Sequence, residues 1–383
     1  MRILHVITRM DRGGSAINTL VTATEQAAAG HAVALLFGLS LESAMAVNEL
    51  AAVDAGLAQF RALGGEVMVE HALRRTIGWR DAVAWWRIRE TIQQFTPDVV
   101  HTHTSKGGVL GRLAARTPWP KRLRIRVVHT PHGHIFHGYF SPAKVRLFIG
   151  LERWLAQRTD VLIALTRAER DDHLALGIGR VAQWRVVPSG VDVDQIIQRI
   201  AALRSVAVDS GERRSWQAVS VGRLTKVKGM DRLLLAWGKV VQQRSDARLV
   251  IVGDGELRAD LEQQRDRLGL GHAVHFAGWD DPVVWLAVAE RFVLLSRNEG
   301  MGRVVVEAMA AGLPCVVADV CGLAELVDGR VGAVVDAEDA AVVAQALLAD
   351  YGCEIRQSAR MRSQRYSVRA MMQGVQAAYE NNL

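Results

Sequence analysis

The stretch SRNEGMGRVVVEAMAAGLP, residues 296–314, follows an apolar FVLL run and joins it to a second apolar segment through a glycine-rich turn. FVLLS has the composition of a buried strand, Gly300 to Gly302 predict a tight turn, and residues 303–311 predict a helix closed by Gly312 and Pro314. Glu299 then stands at the carboxyl end of the strand, beside the free amides of the helix N-terminus, and Glu307 lies in the helix eight positions on. Such amides attract phosphate or polarised hydroxyls, and a carboxylate beside them accepts hydrogen bonds from hydroxyl groups.

On either side of this stretch the chain repeats one grammar of apolar strand, glycine-containing turn and amphipathic helix. ILHVIT, AVALLF, DVVHTHT, RIRVVHT and VLIAL predict strands in the first half, and QAVSVG, ARLVIVG, AVHFAG, RFVLLS and PCVVAD in the second. Alternation of this kind predicts an α/β fold of two doubly wound, Rossmann-like domains. Pro188 and Gly190 in VVPSGVDVD interrupt the pattern, so the expected domains are 1–190 and 191–365, with a helix over 366–383 able to pack back on the first.

The 383 residues suffice for two full cores, and neither half has a disordered composition. MRILHVIT is followed at once by Arg9 and reads as a first strand rather than a signal peptide, and no apolar run is long enough to span a membrane. Three cysteines, Cys315, Cys321 and Cys353, lack metal-pair spacing and suit a reducing cytoplasm. The net charge of +7 lies wholly in the first half, which carries 24 basic and 17 acidic residues up to Gln195, against 23 of each beyond. A basic half beside a neutral one suggests an anionic surface or a pyrophosphate-bearing acceptor, with solvated basic faces as the plain alternative. Nucleic acid is not an expected partner. DAVAWWRIRETIQQF and SPAKVRLFIGLERWLAQR combine Trp85, Trp86 and Trp154 with basic residues, as an interfacial helix does, although ordinary packing on the sheet explains the first better. A peripheral site on the inner face of the membrane is therefore an expectation.

Several strand ends join glycine to a cation: Arg12-Gly13-Gly14, Lys106-Gly107-Gly108 and Lys228-Gly229. A cation at a helix N-terminus opposes the dipole, so its recurrence makes sense where an anion binds. In open parallel sheets such sites collect at the strands' carboxyl ends, and two facing domains can enclose a diphosphate.

VGRLTKVKGMD, VGDGELR, VHFAGW and SRNEGMGRVVVEAMAAGLPCVVADVCGLAE resemble the ordered motifs of the retaining GT-B glycosyltransferases of family four. HTHTSKGGVLGRLAAR, HTPHGHIFHGYF and VVPSGVD resemble the bacterial polysaccharide and lipid-linked glycan branch of that family. The resemblance implies a GT-B fold with an interdomain cleft and transfer from a nucleotide diphosphate sugar, a UDP-sugar, to a glycan or lipid-linked glycan with retention of configuration. It implies that Arg223 and Lys228 hold the diphosphate and stabilise the leaving nucleotide, that Glu307 binds the ribose, and that Glu299 with the amides of Gly300, Met301 and Gly302 orients the sugar. Gly13 and Gly14 would let the first domain approach the phosphates, and His132 would contact the transferred sugar. No cofactor or metal is implied.

The residues alone leave alternatives open. His129, His132, His134 and His137 have the composition of a metal site but no accompanying carboxylate, and His129 reads as a packing residue. Asp192 and Asp194 sit in a junction turn, where no divalent ion is expected. Ser189 replaces the family's usual Asn, and Cys321-Gly322 its usual Gly-Gly, which bears on donor identity. A nucleotide-sugar epimerase of the same fold, a hydrolase using Glu299 and Glu307 as an acid/base pair, and a silent sugar-nucleotide binding protein are the rival readings.

Overall fold

The computed structural model describes residues 1–11, 13–39, 47–117, 124–133, 142–209 and 216–380. Its chain divides into one unit of Met1–Gly190 with Met371–Leu383 and a second of Val191–Ala370.

The first unit is built on seven parallel strands: β1 (Arg2–Arg9), β2 (Ala32–Gly38), β3 (Glu66–Glu70), β4 (Val99–His103), β5 (Arg126–Thr130), β6 (Val161–Ala164) and β7 (Trp184–Val186), in the order β3-β2-β1-β4-β5-β6-β7. Alternating residues of one strand serve two cores. Leu4, Val6, Ala34, Leu36 and Val100 pack beneath Ala84, Ile88, Ile92 and Phe95 of the helix Arg80–Phe95. Ile7, Val33, Leu35 and Phe37 face Ala16, Ala23 and Ala27 of the helix Gly14–Ala28 on the other side. Each fully buried aliphatic side chain is worth about 2 kcal/mol, which is why these strands are nearly continuous apolar runs. The helix Arg80–Phe95 turns Ala84, Ile88 and Ile92 inward at spacings of four, and Trp85 packs against the same core, whereas Trp86 is 51% and Trp79 75% exposed.

The second unit has six parallel strands: β8 (Trp216–Val221), β9 (Leu249–Val252), β10 (Val274–Gly278), β11 (Ala289–Leu294), β12 (Cys315–Ala318) and β13 (Gly332–Val335), ordered β10-β9-β8-β11-β12-β13. Both sheets therefore reverse direction of strand addition beside their first strand, between β1 and β4 and between β8 and β11. At such a switch point the connections leave to opposite sides, and the carboxyl ends of the two strands are left open to a ligand. The helix Met230–Gln243 buries Leu233, Leu234, Trp237 and Val240 on this sheet. The helix Arg303–Ala310 closes in a Schellman motif: Leu313 N–H donates to Ala308 and Gly312 N–H to Met309, with Gly312 at φ +71°.

The helix Val368–Glu380 returns to the first unit, where it buries Met371, Val375, Ala378 and Tyr379. Tyr379 accepts a hydrogen bond from Gln26 and approaches His101 at 2.7 Å, and Arg126 donates to the carbonyl of Ala378. Among the described residues no helix is long and apolar enough to cross a membrane.

Candidate functional site

In the second unit the switch point brings together residues far apart in sequence. Lys228 ends the turn Lys226–Lys228 that follows β8, and Glu299 follows β11. Lys228 Nζ donates to Glu299 Oε1, which also accepts from the buried Ser296 hydroxyl at 2.9 Å. Glu299 is 11% exposed and Lys228 23%, so the pair is partly shielded from water but open on one side. Arg223 lies on the same connection and is exposed, with no side-chain partner among the described residues.

The backbone around this pair is fixed by glycines and a second ion pair. Gly229 has φ +67°, and a Cβ there would stand 2.0 Å from the carbonyl oxygen of Leu295, so the two connections meet without room for a side chain. Arg297 grips the lysine turn, donating to the Lys226 carbonyl at 2.7 Å and to both carboxylate oxygens of Asp231 at 2.8 and 2.6 Å. That bidentate contact holds the Asp231 carboxyl below its ordinary range. Neither Ser296 nor Arg297 stood out in the sequence, although both lie in the opening motif.

The loop Gly300-Met301-Gly302 leads into the helix Arg303–Ala310. Met301 is buried, Gly302 caps the helix at φ +54°, and a Cβ on Gly302 would meet Leu323 at 2.4 Å. Gly322, at φ +82°, lies under the loop: a Cβ there would be 2.4 Å from the carbonyl oxygen of Gly300. The glycine retained beside Cys321 is thus a backbone contact. Glu307 is half-buried one turn after Arg303, whose guanidinium is pushed down by desolvation while Glu307 opposes the shift.

In the first unit, Gly13 caps the helix Gly14–Ala28 with extended backbone, and its N–H donates to Asp11 at 2.8 Å. Arg12 lies outside the described residues, as do His134 and His137. Lys106 pairs with Asp81 at 2.5 Å and donates to the carbonyl of Thr76. Gly107 and Gly108 serve packing there, because a Cβ would meet Thr8 N at 2.9 Å or His129 Cε1 at 2.4 Å. His129 is buried beside Thr102, 2.9 Å from its hydroxyl. Asp192 accepts from the Gln195 amide, a bond of a helix start, and Asp194 accepts from the side-chain amide of Gln364.

His132 follows β5 with φ +62°, a left-handed conformation that costs a non-glycine residue about 1 kcal/mol. It is held there by its neighbour, since Gly133 N–H donates at 2.8 Å to Glu169, a carboxylate that also accepts from Leu165 at 2.6 Å. Burial pushes the Glu169 carboxyl up to about 7 against the effect of these two bonds. His132 Nε2 lies 2.9 Å from His103 Nδ1. Among the described residues His5, His101 and His103 bring ligating atoms within 4.8 Å, but hydrogen bonds already occupy those nitrogens.

A family model described as Glycosyltransferase Family 4 matches residues 12–195, and one described as Glycosyl transferases group 1 matches residues 217–350. The D-inositol 3-phosphate glycosyltransferase of Xylanimonas cellulosilytica is 31% identical over 293 residues, covering 70% of this chain and 67% of that protein. The chain belongs to the family 4 glycosyltransferases. Another relative is the UDP-Gal:alpha-D-GlcNAc-diphosphoundecaprenol alpha-1,3-galactosyltransferase of Escherichia coli, 31% identical over 239 residues, 59% of this chain. The chain spans little more than half of that relative's length, 58%. Among solved structures, HepE of Anabaena in complex with UDP and glucose aligns over all of both chains with a TM-score of 0.76 and 22% identity. Sucrose-phosphate synthase of Thermosynechococcus elongatus aligns over 99% of this chain and 98% of its own with a TM-score of 0.78 and 19% identity. These likenesses establish the GT-B fold for this family 4 chain.

Proposed function

We propose that this chain transfers a glycosyl group from a nucleotide diphosphate sugar, a UDP-sugar, to a hydroxyl of a glycan or lipid-linked glycan, retaining the anomeric configuration and using no metal. The observation that carries the reading is the convergence of Lys228, Glu299 and Ser296 at the switch point of the second sheet, with exposed Arg223 on the same connection. Two cations there suit a diphosphate whose negative charge grows as the sugar leaves, a role in which fixed charges lower the barrier without reorganising. In this reading the arriving diphosphate takes Lys228 from Glu299, and the carboxylate freed by that exchange accepts from sugar hydroxyls beside the Gly300–Gly302 amides. Glu307 holds the ribose, Gly13 and Gly14 leave room for a ligand at the start of their own helix, and His132 contacts a sugar hydroxyl.

The relatives favour UDP and a lipid-borne acceptor. One is named for a UDP-galactose donor and a diphosphoundecaprenol-linked acceptor, another as an alpha-monoglucosyldiacylglycerol synthase. Hydrolysis by a Glu299/Glu307 acid/base pair is the rival reading, in which Glu299, accepting from an ammonium and a hydroxyl, is the ionised member. Incubation of the purified chain with UDP-sugars, with and without undecaprenyl-diphosphate-linked sugar, separates the readings. Acceptor-dependent product is expected; free sugar as main product, or an epimer formed without acceptor, contradicts it.

An anionic membrane surface is part of this proposal. Ile77, Trp79, Val83 and Trp86 are exposed around the start of the helix Arg80–Phe95, with Arg80 and Arg87 stacked on Trp79 and Trp86. Co-sedimentation with anionic vesicles at low salt, absent with neutral ones, is expected; equal binding to both removes the electrostatic role.

A further inference from the structure

A chain of side chains runs through the first unit from the helix Gly14–Ala28 to His132. Gln26 Oε1 lies 2.7 Å from His5 Nε2, His5 Nδ1 lies 2.9 Å from His103 Nε2, and His103 Nδ1 lies 2.9 Å from His132 Nε2. Parallel pairing of β1 with β4 sets His5 opposite His101 and Ile7 opposite His103, and the His5 and His103 rings stack with centroids 5.2 Å apart. Beyond Gln26, its amide nitrogen lies 3.2 Å from the Tyr379 hydroxyl, which is 2.7 Å from His101 Nδ1; His101 Nε2 in turn meets the Thr130 hydroxyl at 2.8 Å. His132 Nδ1 is buried without a hydrogen-bond partner among the described residues.

Neutral imidazole has one N–H and one bare nitrogen, so each link of such a chain decides the next. The Tyr379 hydroxyl has a single proton. When it donates to His101 Nδ1 it must accept from the Gln26 amide nitrogen, which turns the amide oxygen to His5. His5 then carries its proton on Nε2 and accepts at Nδ1, His103 does the same, and His132 carries its proton on Nε2 with Nδ1 left bare. Charged forms would break the order, because an imidazolium donates from both nitrogens; burial pushes His5 down to about 4 and holds His103 well below its ordinary value.

We propose that Gln26, His5 and His103 are positioning residues that hold His132 in the Nε2–H tautomer, so that its buried Nδ1 is a bare acceptor for the hydroxyl of a substrate bound to the first unit. The proposal rests on the glycosyl-transfer reading for the identity of that hydroxyl, but the tautomer itself is a property of the free protein. The left-handed backbone of His132, fastened through Gly133 to Glu169, aims the ring so that the relay reaches it from within the sheet. The metal alternative for His5, His101 and His103 would require breaking bonds that every one of these rings already makes.

Nitrogen-15 NMR of histidine-labelled full chain tests the relay directly. A single Nε2–H form is expected at His5, His103 and His132, and the His132 Nδ1 signal is expected to move when a turned-over nucleotide sugar is added. In Gln26→Met, of similar volume, and in Tyr379→Phe, which keeps the ring, His132 should lose its single tautomer. In both, kcat should fall roughly tenfold, the factor of one hydrogen bond made in the transition state, with donor KM held within about twofold. An Nδ1–H form at His132 in the wild-type chain, or a tautomer unchanged in both variants, overturns the relay whatever the activity. Expected tautomers with no transfer to any acceptor would support the relay and remove the functional reading instead.

Discussion

Acidification from about pH 7 to about pH 5 is expected to destabilise residues 1–190 selectively, ahead of residues 191–370. His5, His101, His103, His129 and His132 are all held neutral by burial, His5 down to about 4 and His132 to about 3. In the unfolded chain each titrates near its ordinary value of 6.5. As pH falls from that value toward about 4, the unfolded chain binds protons that the folded unit refuses, so their contribution is complete above 6.5 and is lost on acidification. The His5 shift corresponds to about 3 kcal/mol once pH has fallen to about 4, of which about 2 kcal/mol is lost by pH 5. Glu169 works in the opposite sense: its carboxyl, raised to about 7, keeps a proton that the unfolded chain gives up above about 4.5, so its share grows as pH falls through that window. One such group offsets part of a loss shared by five. Asp328 of the second unit, held near 2 by Arg330, begins to matter only below its ordinary 3.8. A loss of even about 2 kcal/mol is a sizeable part of an ordinary domain's 5–15 kcal/mol or so. Hydrogen exchange read by mass spectrometry at the two pH values checks this by segment; equal loss of protection in both units would contradict it.

Lys228→Ala is expected to lower kcat by roughly 10²–10³-fold, the cost of removing one preorganised charge from a site where charge develops. The fold should survive. Lys228 is partly exposed, and losing its bond leaves Glu299 with Ser296 and access to water, a cost on the order of 1–2 kcal/mol. The connection itself is held by other groups, the Arg297–Asp231 pair and the tight meeting of Gly229 with Leu295. Glu307→Ala differs in kind. In the role proposed for it, a carboxylate on the ribose would bind ground state and transition state alike, so its removal should appear chiefly in donor KM, by about tenfold.

Most strands were legible because a strand buried on both faces must be apolar throughout, as LVIV of β9 and CVVA of β12 are. EVMVE of β3, WRV of β7 and GAVV of β13 escaped notice: they lie at sheet edges, are short, and are partly exposed, so they carry no such run. The opening motif showed Glu299 and the glycine loop through local turn chemistry. It could not show the bond from Glu299 to Lys228, 71 positions away, because that bond exists only once β8 and β11 lie side by side. The same holds for His5, which looks like an ordinary strand residue until β1 pairs with β4 and places it beside His103. Asp81 as the partner of Lys106 is hidden for the same reason, since nothing local announces it.

The role proposed for the Lys228 ammonium, released from Glu299, is to stabilise a departing nucleotide diphosphate. It is tested most directly by the single-turnover transfer rate of Lys228→Ala with a nucleotide sugar that the wild-type chain turns over, measured on protein with wild-type circular dichroism. A fall of roughly 100-fold or more is the expected result; transfer at the wild-type rate by the folded variant would contradict the account.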